Sequence, residues 1–333
     1  HSIGLDANGN LWTWGASDVG QVGDGTTNSS IMPKQIGTNV YTTISAGRSQ
    51  GMALKADGTL WAWGNNEFGE IGDGTTVNVL TPKQIGTGTY TAISSGGWHS
   101  LALKADGSLW AWGKNTEGEL GDGTTTERHV PIQITGTYTA ISAGLYHSTA
   151  LKADGTLWAW GYNNSGQIGD GTTTNSLTPI QIGTASYLTV STGRFHTLAL
   201  KSDNTVWAWG LNDGGQIGDG TTTNSLVPKQ VGTGSYASIF AGGWHNVAFK
   251  SDGAMWAWGL NDHGQIGDGT TSNVLTPKQV GSEVFTIFSA GRNHNLAIKA
   301  DGSYWAWGWN VFVQLGDSTM DDKLVPTEIP IYK

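Results

Sequence analysis

One tetrapeptide constrains this chain more than anything else in it. Trp-x-Trp-Gly recurs at Trp12, Trp61, Trp110, Trp158, Trp207, Trp256 and Trp305, in steps of 49, 49, 48, 49, 49 and 49 residues. Self-similarity at a fixed period marks a repeat architecture, in which each copy buries its apolar surface only against its neighbours. Seven such copies fill the 333 residues, so the chain reads as a single domain over 1–333.

Within a copy, short apolar or alternating runs are bounded by Gly, Asp and Asn, which is the pattern of strands. In the second copy they predict strands near Gly51–Lys55, Thr59–Trp63, Pro82–Ile85 and Tyr90–Ser94. Asp57-Gly58 is a tight hairpin turn, repeated at Asp106-Gly107, Asp154-Gly155, Asp252-Gly253 and Asp301-Gly302. Asn8-Gly9 and Asp203-Asn204 take its place in the other two copies. No segment of helical length carries a 3.6-residue apolar period. The prediction is therefore all-β: a seven-bladed β-propeller of about 49 residues per repeat, with four-stranded blades. Residues i and i+2 of a strand share a face, so both Trp of each pair are assigned to packing between blades, with Ala62 and its equivalents opposite.

The first copy opens at His1, past its Ala-Gly-x-x segment. The last closes on Glu328-Ile329-Pro330-Ile331-Tyr332-Lys333, the counterpart of Pro-Lys-Gln-Ile-Gly-Thr. The next Tyr-Thr-x-Ile-Ser-Ala-Gly strand would fall after residue 333. This predicts a piece of a longer chain, with one three-stranded blade whose open edge suits strand addition or self-association.

Composition excludes several functions. The 17 Lys+Arg against 26 Asp+Glu give a net charge of −9, with no basic footprint for nucleic acid. No stretch approaches 18 consecutive apolar residues, so no membrane insertion is expected. The absence of Cys removes thiol chemistry and Cys-ligated zinc, and fits an extracytoplasmic bacterial protein. No Gly-x-Ser-x-Gly, P-loop or His-Glu-x-x-His motif is present, and the Ser and Thr residues sit at repeated positions. The chain reads as a non-enzyme, with no cofactor and no metal.

Two repeated polar positions invite a metal and are read otherwise. His1, His99, His147, His196, His245 and His294 recur, with Gln50 in the second copy. Equivalent atoms on different blades stand too far apart for zinc, whose ligands lie near 2 Å. Each His is expected to hydrogen-bond backbone in its own blade. Asp24, Asp73, Asp122, Asp170, Asp219, Asp268 and Asp317 lie in Gly-Asp-Gly or Gly-Asp-Ser loops. They are expected to cap their own exposed loops, the alternative being a calcium loop whose spacing matches no standard motif.

Subtracting the repeat leaves Trp98, Trp244 and Trp309 outside Trp-x-Trp-Gly. The two variable positions of Ala-Gly-x-x-His hold an aromatic in four consecutive copies, namely Trp98, Tyr146, Phe195 and Trp244. They hold Arg48, Arg194 and Arg292 in three. These residues and Trp309 are the candidate partner-binding set, because aromatic and Arg anchors dominate protein interfaces. The alternative is that they cover the mouth of the core. In a four-stranded meander the Ala-Gly-x-x-His loops and the segments after Trp-x-Trp-Gly, with Phe68 and Phe312, belong on one side. The Asp-Gly hairpins belong on the other.

Together, Gly96-Gly97-Trp98-His99-Ser100-Leu101-Ala102-Leu103, the seven Trp-x-Trp-Gly and Gly166-Gln167-Ile168-Gly169 resemble the regulator of chromosome condensation repeat family, with bacterial-type tandem copies. The resemblance spans all seven copies. It implies a seven-bladed propeller that acts mainly by protein contact. The family includes a nucleotide exchange factor on chromatin, a plant UV-B photoreceptor and a secreted bacterial β-lactamase inhibitor. The photoreceptor uses adjacent Trp-Arg pairs, which no copy here has in sequence, and chromatin exchange wants basic surroundings. What remains is a secreted or cell-surface propeller that binds a protein. A carbohydrate-binding module stacking sugars on Trp98 and Trp244, and a structural element of a surface protein or filament, are the alternatives.

Overall fold

The computed structural model describes residues 1–330; Ile331, Tyr332 and Lys333, assigned above to the end of the last outer segment, lie outside them. Every regular element among the described residues is a β-strand, and no helix is present to cross a membrane. The first unit is a three-stranded antiparallel sheet of β1 (Ser2–Leu5), β2 (Asn10–Gly15) and β3 (Ser30–Val40). The second is a four-stranded meander of β4 (Thr43–Ala46), β5 (Gln50–Leu54), β6 (Thr59–Gly64) and β7 (Val79–Thr89). The same meander recurs through Lys323–Glu328. The strand Ser176–Thr192 ends one unit and begins the next, joining two units into one seven-stranded sheet. The architecture is an all-β propeller.

Local chemistry fixes each unit. At the hairpin between β5 and β6, Asp57 Oδ1 accepts from the Thr59 backbone N–H at 3.0 Å and from Thr59 Oγ1 at 2.7 Å. Gly58 adopts φ +79°, which the turn demands and a β-carbon would strain. The outer strand runs well beyond the expected Pro82–Ile85, because Thr59 still pairs with Thr89 across a bulge. The inner strands carry small residues and bond to each other around the axis. The Ser95, Ala143 and Ala241 N–H groups donate to Ser45, Ser94 and Ser191 Oγ.

The Gly-Asp-Gly-Thr-Thr loop is built on a buried Asn. Asn163 Nδ2 reaches Asp170 Oδ1 and the Thr172 and Thr174 carbonyls at 3.0–3.1 Å, while its Oδ1 accepts from the Ile168 N–H at 2.9 Å. Asn66, Asn115, Asn212, Asn261 and Asn310 repeat this; in the first unit Ser17 Oγ substitutes, accepting from Val22 N–H. The loop Asp residues accept from the amide and hydroxyl of the Thr two positions on, as at Asp73 and Thr75. Several also pair with a strand lysine, as Asp73 does with Lys83 at 2.7 Å. Their oxygens are thus committed to the loop, and no metal-sized group of His, Asp or Glu occurs among the described residues.

The apolar core lies between units, and both tryptophans of each pair pack on it, but to different depths. The second Trp of each pair, from Trp63 to Trp307, is 0% exposed in units two to seven. The first is only half-buried. Residues i and i+2 do share a face, but the earlier one sits nearer the Asp-Gly rim. There a lysine ammonium covers the ring: Lys55 over Trp61 at 4.2 Å, Lys152 over Trp158 at 3.6 Å, Lys299 over Trp305 at 3.7 Å.

The histidines also differ from expectation. The rings of His99, His147, His196, His245 and His294 each bond a side chain of the next unit instead of backbone in their own, whereas both ring nitrogens of His1 are buried without a partner. His99 Nε2 meets Ser148 Oγ at 2.9 Å, His147 meets Thr197 Oγ1 at 3.0 Å, and His196 and His245 meet Asn246 and Asn295 Oδ1 at 2.8 Å. Ser148, Thr197, Asn246 and Asn295 donate in turn to the carbonyls of Glu119, Gln167, Gln216 and Gln265. An oxygen facing Nε2 makes Nε2 the donor, so each relay leaves one unit, crosses the next and returns. The Trp160, Trp209 and Trp258 indoles donate to the Glu119, Gln167 and Gln216 carbonyls. The first and last units meet by the same device. Ser2 Oγ lies 3.2 Å from His294 Nε2 and donates to Gln314 O, which also accepts from Trp14 Nε1 at 2.8 Å.

Candidate interaction face

The loops that join inner to second strand lie in a ring at one end of the propeller, bonded backbone to backbone at four of its seams. Arg48 N–H donates to Gly96 O, Gly97 N–H to Gly144 O, Arg194 N–H to Gly243 O and Gly243 N–H to Gly291 O. Gly96 is required for close approach: a β-carbon there would lie 2.6 Å from His99 Cε1 and 2.7 Å from Gly144 O. The segments after Trp-x-Trp-Gly join the same side, since Lys114, Tyr162 and Trp309 donate their N–H to the Trp98, Tyr146 and Asn293 carbonyls.

On this ring the four aromatic positions form one continuous row. Ring centroids are 4.9 Å apart for Trp98–Tyr146, 5.9 Å for Tyr146–Phe195 and 5.8 Å for Phe195–Trp244. All four are half-buried, each presenting part of its ring to solvent. The arginines lie on the row and beside it. Arg48 covers Trp98 at 4.2 Å, Arg194 covers Trp244 at 5.1 Å and Phe195 at 5.5 Å, and Arg292 covers Trp309 at 5.8 Å. Arg48 and Arg292 are exposed and Arg194 half-buried. Burial, followed by the charges of Arg292 and Arg48, lowers the proton affinity of Arg194; burial and Arg48 do the same to Arg292.

Seven of the eight candidate residues thus fall on the loop ring, and Trp309 joins from the neighbouring segment, against His263 at 5.1 Å and Phe312 at 5.1 Å. Two members escaped the sequence reading. Lys114 stands 5.1 Å over Trp98 and 4.7 Å over Tyr146, and Tyr162 packs on Tyr146 at 5.8 Å. Both occupy the variable position after Trp-x-Trp-Gly that Trp309 also occupies, so that variability was the available signal. Sequence adjacency was the wrong test for Trp–Arg pairs. They do form here, between one loop and its neighbour. The Asp-Gly side carries the repeated Lys-on-Trp stacks instead.

The fold and this face define a propeller assembled from Trp-x-Trp-Gly repeats, with an aromatic and cationic ring of loops at one end. The chain belongs to the RCC1-like domain family, whose model matches residues 1–281; regulator of chromosome condensation (RCC1) repeats match 285–314 and 301–333. No curated protein matches at the sequence level. Among solved structures, Prp20p from Saccharomyces cerevisiae, described with its binding properties to Gsp1p and histones, is 21% identical over 99% of this chain and 88% of that one, with a TM-score of 0.90. Yeast RCC1 (Prp20) in a structure with Kap60 bound is 22% identical over 97% and 84%, with a TM-score of 0.89. Human WBSCR16 is 20% identical over 97% and 95%, with a TM-score of 0.87. At these identities the likeness is one of fold.

Proposed function

We propose that this chain is a non-enzymatic, extracytoplasmic, protein-binding propeller: one domain of seven blades that meets its partner with the ring of Gly-x-x-His loops. The observation that carries this is the aromatic row Trp98–Tyr146–Phe195–Trp244 capped by Arg48 and Arg194. Half-exposed aromatics held by neighbouring loops, with arginines laid on them, have the composition of interface anchors. The opposite face repeats one Asp-Gly turn nearly unchanged and offers little to distinguish one asymmetric partner. The yeast neighbours are described with Kap60, Gsp1p and histones, all proteins, which is the class of ligand proposed here. The absence of Cys suits a secreted or cell-surface location.

The test is the Trp98→Ala, Trp244→Ala double variant. Capture of partners from the native source and the melting temperature are measured together, with a glycan array in parallel. Truncated anchors typically cost about 2 kcal/mol or more each. Capture should therefore fall at least 30-fold while melting changes little. Retained capture defeats the proposal, and glycan binding lost in the same variant would assign the row to sugar stacking.

A further inference from the structure

Three of the chain's four arginines stand on this face without an acid. Arg128 is paired with Asp122 at 2.6 Å, whereas no carboxylate among the described residues lies within ion-pair distance of Arg48, Arg194 or Arg292. Of the acids on the segments that reach this side, Asp18, Asp213 and Asp262 accept from the side-chain amides of Gln21, Gln216 and Gln265 and Glu117 accepts from Asn175, while Glu67 pairs with none of the three arginines. Arg194 Nε is enclosed and has no hydrogen-bond partner. A buried donor left unpaired is costly and calls for an explanation at each site where it occurs. The charges of Arg292 and Arg48 bear on Arg194, and that of Arg48 bears on Arg292.

A guanidinium lying on an aromatic face keeps its in-plane N–H groups directed outward, and that planar fork matches the two oxygens of a carboxylate. Arg48 lies 4.2 Å over Trp98, and Arg194 and Arg292 stand 5.1 and 5.8 Å from the Trp244 and Trp309 rings, so each guanidinium rests against an aromatic before any ligand arrives; with Nε of Arg194 enclosed, its terminal nitrogens are the ones left to donate. The loop ring fixes the backbones of Arg48 and Arg194 through their N–H bonds to Gly96 and Gly243.

We propose that Arg48, Arg194 and Arg292 form an oxyanion site that takes the clustered carboxylates of an acidic peptide segment. This rests on reading the loop ring as the partner face, and it adds the chemistry of the partner. The probes are a hexaglutamate peptide and inorganic pyrophosphate, titrated by calorimetry at about 20 mM salt, where ionic contacts are least screened. The wild type should bind the peptide, and binding should disappear at about 0.5 M salt. R48Q and R292Q, both at exposed positions, should each weaken it roughly tenfold, and the triple variant with R194Q should abolish it. K34Q, whose lysine pairs with Asp24 on a Gly-Asp-Gly loop, should bind like the wild type. Melting curves accompany each titration; if the triple variant melts early, the two exposed single variants decide. No peptide binding, or equal binding by R48Q, R292Q and wild type, overturns the site. Pyrophosphate binding without peptide binding overturns the peptide assignment. Because the probes need no natural partner, loss of this site with partner capture intact leaves the protein-binding proposal standing.

Discussion

At the residue scale, burial sets the response to pH. Desolvation holds the relay imidazoles neutral, pushing His99, His147 and His294 down to about 3 and His196 and His245 down to about 4. The unfolded chain binds protons near 6.5 and the folded one does not. The stabilisation is therefore complete above about 6.5 and is lost as pH falls toward the folded values. For one such His the loss at pH 5 is about 2 kcal/mol. His147→Gln, the residue that already stands at position 50, should flatten the acid limb by about that amount, read from melting between pH 5 and 8. Glu70 has the opposite sign. Burial, reinforced by Glu67 and Glu127, raises its carboxyl to about 7, so the protonated form is favoured and stability falls as pH rises from about 4.5 to 7. Five other units carry Gln there. Glu70→Gln should raise stability by about 1–3 kcal/mol at pH 8 and leave it unchanged at pH 4; equal melting at pH 8 would contradict the burial argument.

At the scale of the element, the turn chemistry was legible because Asp-Gly and Gly-Asp-Gly state their own conformations. The depth of a side chain within the blade was not. Alternation puts Trp61 and Trp63 on one face yet cannot say that Trp61 ends at the rim under Lys55. Nor does a repeated Asn announce that it organises a loop nine residues onward. Asn163→Ala removes a buried group that satisfies three acceptors and one amide. It should cost about 2–4 kcal/mol. Hydrogen exchange should quicken first at the Ile168 amide and around Thr172–Thr174. A uniform effect spread over all units would argue against local organisation.

At the scale of the molecule, a fixed period announced the propeller, and the residues that break the period announced the face. The row itself was not visible in sequence. Trp98, Tyr146, Phe195 and Trp244 lie 48 or 49 residues apart and become neighbours only when the blades close up. The side-chain relay was hidden for the same reason: a His and its partner belong to different copies. That relay bears on how the chain finds its order. Units this alike can dock out of turn with nearly native contacts, so the hazard in refolding is a miscounted ring. The residue that receives each histidine varies around the molecule: Ser148, Thr197, Asn246, Asn295 and Ser2. A hydroxyl and an amide do not fill the same space under an imidazole. A seam that ends on a hydroxyl, as at Ser148, Thr197 and Ser2, is thereby told from one that ends on an amide, as at Asn246 and Asn295.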